Sequence, residues 1–104
     1  MIEIVYTVCS SVDEAKLIGK TLVEEKKCAC VNIIPGMQSI YFWEGELVED
    51  QEVVLLIKSI KTSFKAVASR IKEIHSYEVP AIFTLDSKEV DINYLKWVKE
   101  NVQL

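Results

Sequence analysis

The stretch from Cys28 to Ser59 constrains the fold of this chain more than any other. Its sequence, CACVNIIPGMQSIYFWEGELVEDQEVVLLIKS, alternates like paired strands and is broken by a proline-glycine pair after Ile34. Proline removes a donor from the hydrogen-bond ladder, whereas glycine permits positive φ. We therefore predict a long antiparallel hairpin with a bend or bulge after Ile34 and a turn formed by EGELVEDQE, Glu44–Glu52.

The segments around this hairpin predict alternating strands and helices. IEIVYTVC, Ile2–Cys9, is rich in β-branched residues and is predicted to be a buried strand. A helix should follow, because Ser11 and Glu14 have the spacing of a capping box, and it should end near Lys27. Its predicted packed side carries Ala15, Ile18, Gly19 and Leu22.

The second half of the chain repeats the pattern. KTSFKAVASRIKEIHSYE gives the strongest helical signal of the chain, and Val79-Pro80 should end that helix. Its apolar residues recur at spacings of three and four: Phe64, Val67, Ala68, Ile71 and Ile74. AIFTLD predicts a short fourth strand. Asp91 is placed to cap a last helix, INYLKWVKEN, with Ile92, Leu95 and Val98 as its apolar stripe.

The resulting order, β-α-β-β-α-β with a C-terminal helix, predicts an α+β fold of the ferredoxin-like type, in one domain spanning residues 1–104. In that fold both main helices cover the same face of one antiparallel sheet. The other face would then carry apolar side chains of the long hairpin, and large exposed apolar patches mark interfaces. We therefore expect self-association, with a hairpin that folds back on its own domain as the alternative.

Composition excludes some classes of function. The net charge is -4 with a pI near 5.0, so the chain lacks the basic surface expected of a nucleic-acid-binding protein. Apolar runs such as Val53 to Ile57 fall far short of the roughly 20 residues of a membrane helix, and the N-terminus lacks a basic leader. We predict a cytoplasmic protein with neither nucleic acid nor membrane as a partner.

The cysteines do not predict a disulfide framework. Cys9, Cys28 and Cys30 are odd in number, and the single residue between the last two does not match redox or zinc pairs. On a strand, Cys28 and Cys30 would share a face near the core. We interpret them as buried structural thiols.

Three segments of this sequence resemble the CutA family of divalent cation tolerance proteins: CACVNIIPGMQSIYFWEGEL, EVVLLIKS and IHSYEVPAIFTL. They occur in the family's order and the resemblance covers nearly the whole chain. It implies a cytoplasmic homotrimer of ferredoxin-like subunits, similar in architecture to the PII signalling proteins. Copper and other divalent cations are the implied ligands, and no enzymatic activity is implied.

The resemblance also implies metal ligands. It places Cys9 of TVCSSVD, Glu52 of EVVLLIKS and His75 of IHSYEVP on positions associated with metal binding. Other family positions differ here: Ile74 stands where some relatives have a second histidine, and Ala81 stands where an acidic residue is common. A thiolate, an imidazole and a carboxylate together suit copper or zinc. Each residue also has an ordinary interpretation, Cys9 as a strand-end core residue and His75 as a helix C-terminal residue.

Two other classes of function are open from the sequence. A small-molecule or enzymatic site in a subunit cleft could be lined by Tyr41, Trp43, Tyr77 and Trp97 beside Lys58 and Glu44. No nucleophile elbow or phosphate loop supports it, and only three glycines are present. Alternatively, the C-terminal helix of a trimeric scaffold could dock a protein partner through its apolar residues, Tyr94, Leu95, Trp97 and Val98.

Overall fold

The computed structural model describes residues 2–103 and contains the predicted elements in the predicted order. They are β1 (Ile2–Cys9), α1 (Val12–Glu24), β2 (Cys30–Trp43), β3 (Glu46–Ile60), a 3-10 turn (Lys61–Ser63), α2 (Phe64–Ile74), β4 (Ile82–Asp86) and α3 (Ile92–Glu100). The strands form one antiparallel sheet in the order β2-β3-β1-β4. This is the ferredoxin-like arrangement, so the predicted fold class is confirmed.

The main core lies between the sheet and helices α1 and α2. Strand residues Val5, Leu55 and Ile57 face the helices and are almost fully buried. The helices contribute the predicted residues to this layer: Ala15, Ile18, Leu22, Val67 and Ile71. The helical spacing therefore identified the packed sides of both helices correctly.

The opposite face of the sheet is only partly covered. Helix α3 packs over one end of it, where Val98 joins Ile2 and Ala29 in a second, smaller core. Beyond α3, Ile34, Phe83 and Leu85 on this side remain close to half exposed. The prediction of an open second face therefore holds for the part that α3 does not reach. Ile92 corrects the predicted stripe of α3, because its side chain is exposed.

The β2-β3 hairpin is longer and more regular than predicted. From Glu46 to Lys58, every residue of β3 except Val53 pairs with β2, and the irregularity between Ile34 and Met37 in β2 confirms the predicted bulge. The turn is limited to Glu44 and Gly45, both at positive φ, as a two-residue hairpin turn requires. The predicted turn over Glu44–Glu52 was therefore too long, because its charged residues from Glu46 onward lie on the exposed outer part of β3. The hairpin does not fold back, and its outer apolar side chains are exposed.

Two helix ends were also predicted too late. Helix α1 ends at Glu24, and the chain reverses at Lys26, which has a φ of 61°. Helix α2 ends at Ile74, because His75 adopts an extended conformation well before Val79-Pro80. This early end of α2 frees His75 to turn toward β1.

The prediction that Cys28 and Cys30 share a face is wrong. Strand β2 begins at Cys30, so strand alternation does not extend back to Cys28. Cys28 is buried in the main core beneath the helices, whereas Cys30 pairs with Lys58 and is only half-buried. Both are free thiols, as expected.

Candidate metal-binding site

Two of the three predicted ligands lie together at the end of β1. Cys9, Glu14 and His75 each offer one potential ligand atom, and these atoms all lie within 4.8 Å of one another. Cys9 is the last residue of β1, Glu14 lies in the first turn of α1, and His75 follows the last residue of α2. The fold therefore brings together a thiol, a carboxylate and an imidazole from three elements.

Hydrogen bonds fix the orientation of the His75 ring, whose side chain is fully buried. Nε2 lies 2.7 Å from the carbonyl oxygen of Val8, and Nδ1 accepts a hydrogen bond from the backbone N–H of Tyr77 at 3.0 Å. A carbonyl can only accept and an amide N–H can only donate, so the hydrogen of the ring resides on Nε2. Nδ1 is therefore the nitrogen with a lone pair that a metal could use.

The Glu14 carboxylate accepts hydrogen bonds both at the start of α1 and from the chain that follows α2. Its Oε1 accepts from the backbone N–H and hydroxyl of Ser10, and Oε2 accepts from the backbone N–H of Ser76 at 2.9 Å. Burial raises the pKa of Glu14, but the hydrogen bonds from Ser76 and Ser10 outweigh it and lower the pKa to about 2. Glu14 is thus a permanent negative charge, 4.0 Å from Nδ1 of His75.

The Cys9 side chain is fully buried. Burial, and secondarily the charge of Glu14, raises the pKa of the thiol to about 12. Cys9 is therefore a thiol at neutral pH, and a metal would have to displace its proton. His75 donates its Nε2 hydrogen to Val8 and accepts from Tyr77, so it does not activate Cys9 as a nucleophile.

Glu52, the third predicted ligand, lies outside this cluster. Its carboxylate accepts a short hydrogen bond of 2.6 Å from the hydroxyl of Tyr77. The Tyr77 ring in turn packs against the His75 ring, with 4.8 Å between the ring centroids. Glu52 therefore contacts the residue that covers His75, and Glu14 is the carboxylate adjacent to the thiol and the imidazole.

Sequence reasoning found Glu14 only as a helix cap. As predicted, the Glu14 side chain reaches back to the start of the helix, where it accepts a hydrogen bond from the backbone N–H of Ser10. Its other carboxylate oxygen lies 4.0 Å from Nδ1 of His75, a contact that the capping pattern does not indicate. Its position in the sequence could have indicated the site, since Glu14 lies in the first turn of the helix that follows Cys9. The contact with Ser76 could not be foreseen, because no local pattern relates Glu14 to the chain that follows α2.

The donor set suits a soft or borderline divalent cation. Thiolate and imidazole favour copper and zinc, and a carboxylate can complete a mixed site. Ligand atoms of a tetrahedral zinc ion lie about 3.5 Å apart, given its bond lengths. The separations of up to 4.8 Å between these atoms would need a modest contraction. The residues therefore fit a metal, provided that Nδ1 and the carboxylate exchange their present partners.

The side chains proposed to line a small-molecule cleft do not converge within one subunit. Tyr41 and Trp43 lie on the outer hairpin, whereas Trp97 lies on α3, stacked on Tyr94. Lys58 lies 5.7 Å from the centroid of the Tyr94 ring. An open depression of about 460 Å³ is lined by the side of α3 instead: Ile92, Leu95, Lys96, Lys99 and Glu100. None of the predicted lining residues contributes to it.

Comparison with known proteins agrees with this architecture. The family model described as CutA1 divalent ion tolerance protein matches residues 3–101. The chain belongs to the CutA1 family. It is 46% identical over 101 residues to the divalent-cation tolerance protein CutA of Thermus thermophilus, covering 97% of this chain and 98% of that protein. Protein CutA of Homo sapiens is 35% identical over 95 residues, but the match spans only 53% of its length and 91% of this chain.

Solved structures of CutA proteins share the fold. The Thermus thermophilus protein superposes with a TM-score of 0.94 at 46% identity, over 99% of this chain and all of that one. A protein of Archaeoglobus fulgidus, described as a periplasmic divalent cation tolerance protein, gives a TM-score of 0.95 at 33% identity, with 99% and 100% coverage. The predicted family is therefore confirmed. Within residues 2–103, none of the helices has the length and apolar character needed to cross a membrane.

Proposed function

We propose that this protein is a homotrimer that binds divalent cations, copper above all, and acts in cation tolerance without catalysing a reaction. The observation that carries the proposal is the cluster of a thiol, an imidazole and a carboxylate at Cys9, His75 and Glu14. In this proposal Cys9 and His75 are ligands, as the family resemblance implies, and Glu14 completes the set. Copper bound there would report cation levels, in keeping with a signalling role like that of the PII proteins.

The trimer is supported by the apolar surface of the hairpin. Ile40, Phe42, Trp43 and Leu47 are between 61% and 74% exposed, and a concentration of large exposed apolar side chains is typical of an interaction surface. A second copy of the chain is the simplest partner, because a closed ring buries the same surface of every subunit. We further propose that residues 1–104 form one domain, since strands from both halves of the chain alternate in the sheet.

A direct test combines metal analysis with the mass of the assembly. The purified protein is loaded with Cu(II) or Zn(II), freed of excess metal, and examined by sedimentation equilibrium and elemental analysis. We expect a trimer with about one metal per subunit, and more metal at high pH because Cys9 must lose its proton.

Single substitutions assign the site. Cys9→Ser and His75→Gln should each remove the bound metal, whereas Cys28→Ser is the matched control, a buried thiol outside the cluster. Metal retained by both site variants, or lost only in the control, would contradict the proposed site. Fractionation of cells tests the predicted cytoplasmic location, which stays part of the proposal.

A further inference from the structure

The two residues after His75 donate hydrogen bonds to both of the candidate ligands beside Cys9, Glu14 and His75. The backbone N–H of Ser76 donates to Oε2 of Glu14 at 2.9 Å, and the backbone N–H of Tyr77 donates to Nδ1 of His75 at 3.0 Å. Consecutive N–H groups of one short segment therefore satisfy the carboxylate and the imidazole. Nδ1 has a single lone pair, so a cation cannot bind His75 while the Tyr77 N–H remains. Oε2 of Glu14 keeps a second lone pair beside the Ser76 N–H, and one displacement of this segment would free Nδ1 and release the carboxylate to move toward the cation.

The other nitrogen of His75 does not offer an alternative route. Nε2 carries the ring hydrogen and lies 2.7 Å from the carbonyl oxygen of Val8, in a side chain that is fully buried. Rotating the ring would leave that carbonyl and the Tyr77 N–H without partners, at a cost for each. Metal binding through Nδ1, with the present ring orientation kept, is the less costly arrangement.

One side-chain hydrogen bond holds the segment in place from the sheet. The hydroxyl of Tyr77 donates to Oε2 of Glu52 at 2.6 Å, in a partly buried position. Glu52 lies on β3 opposite Met37, next to the hairpin bulge. Glu52 directly follows, toward the hairpin tip, the last β3 residue that pairs with β1, Val53, so the four-stranded part of the sheet holds the anchor of the tyrosine in place. Glu52 thus holds the side chain of Tyr77, whose backbone N–H donates to Nδ1 of His75.

We propose that Ser76 and Tyr77 form a latch over the metal ligands, and that Glu52 is a positioning residue that keeps it closed. This inference rests on the proposed cation binding and reassigns Glu52, which the resemblance implied as a ligand. The closed latch lowers the apparent affinity by the fraction of molecules in which it is open. A cation that binds tightly enough to displace two N–H groups passes this threshold, and a weakly bound one does not.

The test uses Co(II), whose bond to a thiolate gives a charge-transfer absorption, on the intact trimer without oxygen. Tyr77→Phe removes the hydroxyl and keeps the ring. We expect Co(II) binding to become about 10-fold to 100-fold tighter, since a hydrogen bond to a charged group contributes about that factor. Glu52→Gln should shift affinity in the same direction by less, and it serves if Tyr77→Phe does not fold.

Tyr41→Phe is the matched control. The Tyr41 hydroxyl also donates to a carboxylate of the same hairpin, that of Asp50 at 2.8 Å, but it does not touch the cluster. This variant should bind Co(II) like the unmodified protein. Cys9→Ser should abolish the absorption, which assigns it to this site.

The outcomes separate the latch from the proposed function. Unchanged affinity in Tyr77→Phe and Glu52→Gln would overturn the latch and leave cation binding intact. Weaker binding in Glu52→Gln would make Glu52 a ligand and would also overturn it. A complete lack of thiolate absorption in every variant would overturn both. Absorption that appears only after Tyr77→Phe would establish the latch as the barrier to binding.

Discussion

The two halves of the β2-β3 ladder use the same hydrogen bonding in opposite environments. In the inner half, Leu55 and Ile57 are fully buried beneath the helices, whereas in the outer half Phe42 and its cross-strand partner Leu47 are 74% and 61% exposed. An isolated two-stranded hairpin is only marginally stable in water. The inner half therefore completes its own core, and the outer half needs apolar surface from outside the subunit.

The largest expected effect is on association. Replacing Phe42 and Leu47 together with serine removes two exposed apolar side chains from the hairpin, and the few residues that dominate an interface each cost about 2 kcal/mol or more when truncated. We expect the proposed trimer to dissociate into folded subunits, as measured by sedimentation velocity with circular dichroism. Val79→Ser is the control, because Val79 is 86% exposed but lines a depression beside α2, together with Phe64 and Ala68. A double variant that remains trimeric would place the interface elsewhere.

The next effect compares two leucines of β3. Leu55→Ala leaves a cavity in the main core and should lower the free energy of unfolding by about 2 to 5 kcal/mol. Leu47→Ala leaves that core intact, so its effect should come through assembly and grow as the protein is diluted. Thermal unfolding over a range of concentrations distinguishes them. Equal, concentration-independent losses in both variants would remove the distinction between the two halves.

Two glycines, one in the hairpin turn and one on α1 against the inner half of the ladder, should respond to alanine for different reasons. Gly45 in the hairpin turn has a φ of 80° and open space around it, so Gly45→Ala should cost about 1 to 2 kcal/mol through backbone strain. Gly19 of α1 has ordinary helical φ, but a Cβ there would lie 2.7 Å from a methyl carbon of Val31.

We expect Gly19→Ala to be destabilising through overpacking, partly offset by about 1 kcal/mol of helix propensity. Denaturant unfolding measures both changes. Gly45→Asn should be milder than Gly45→Ala, since asparagine tolerates positive φ. Equal losses in these two variants would contradict strain as the cause. In Gly19→Ala/Val31→Ala, relief of the crowding should recover part of the loss.

The smallest expected effect is the pH response of the buried Glu3. Burial raises its pKa above 4.5, and so does Asp86, its cross-strand partner, although Lys61 opposes this. The folded state thus holds the proton more tightly than the unfolded state, so this group's contribution to stability falls as pH rises above 4.5.

Glu3→Gln should therefore raise stability at pH 7, with a gain that shrinks as the pH is lowered toward 4.5. Urea unfolding at several pH values measures it. Asp86→Asn should shift the curve in the same direction, because it removes the second carboxylate of the pair. A Glu3→Gln variant that is less stable than the unmodified protein at pH 7 would contradict the assignment.

The elements of the fold could be predicted because local patterns and burial agree. Ser11 and Asp91 cap α1 and α3 as expected, each accepting a hydrogen bond from a backbone N–H three residues later. Where helices end could not be predicted as well, because α2 stops at Ile74 for a tertiary reason. His75 there exchanges helical geometry for contacts with Val8 and Tyr77.

The candidate site was predictable only in part. The resemblance implied Cys9 and His75, which the fold brings together, but Glu14 had a sufficient local explanation as a cap. The contact between Glu14 and Ser76 joins residues 62 positions apart. No spacing rule in the sequence encodes such a contact. It depends on how α1 and the chain after α2 meet at the end of β1.

The bulge in β2 separates two properties of the hairpin. Between the pair Ile34 and Val54 and the pair Met37 and Glu52, β2 contains one residue more than β3. Deleting Gly36 would allow a regular ladder with every outer pair, and hence both outer surfaces, unchanged in composition. What would change is direction, since a bulge bends its strand and increases the local twist. The paired residues decide what the hairpin displays, and the single extra residue decides where it points.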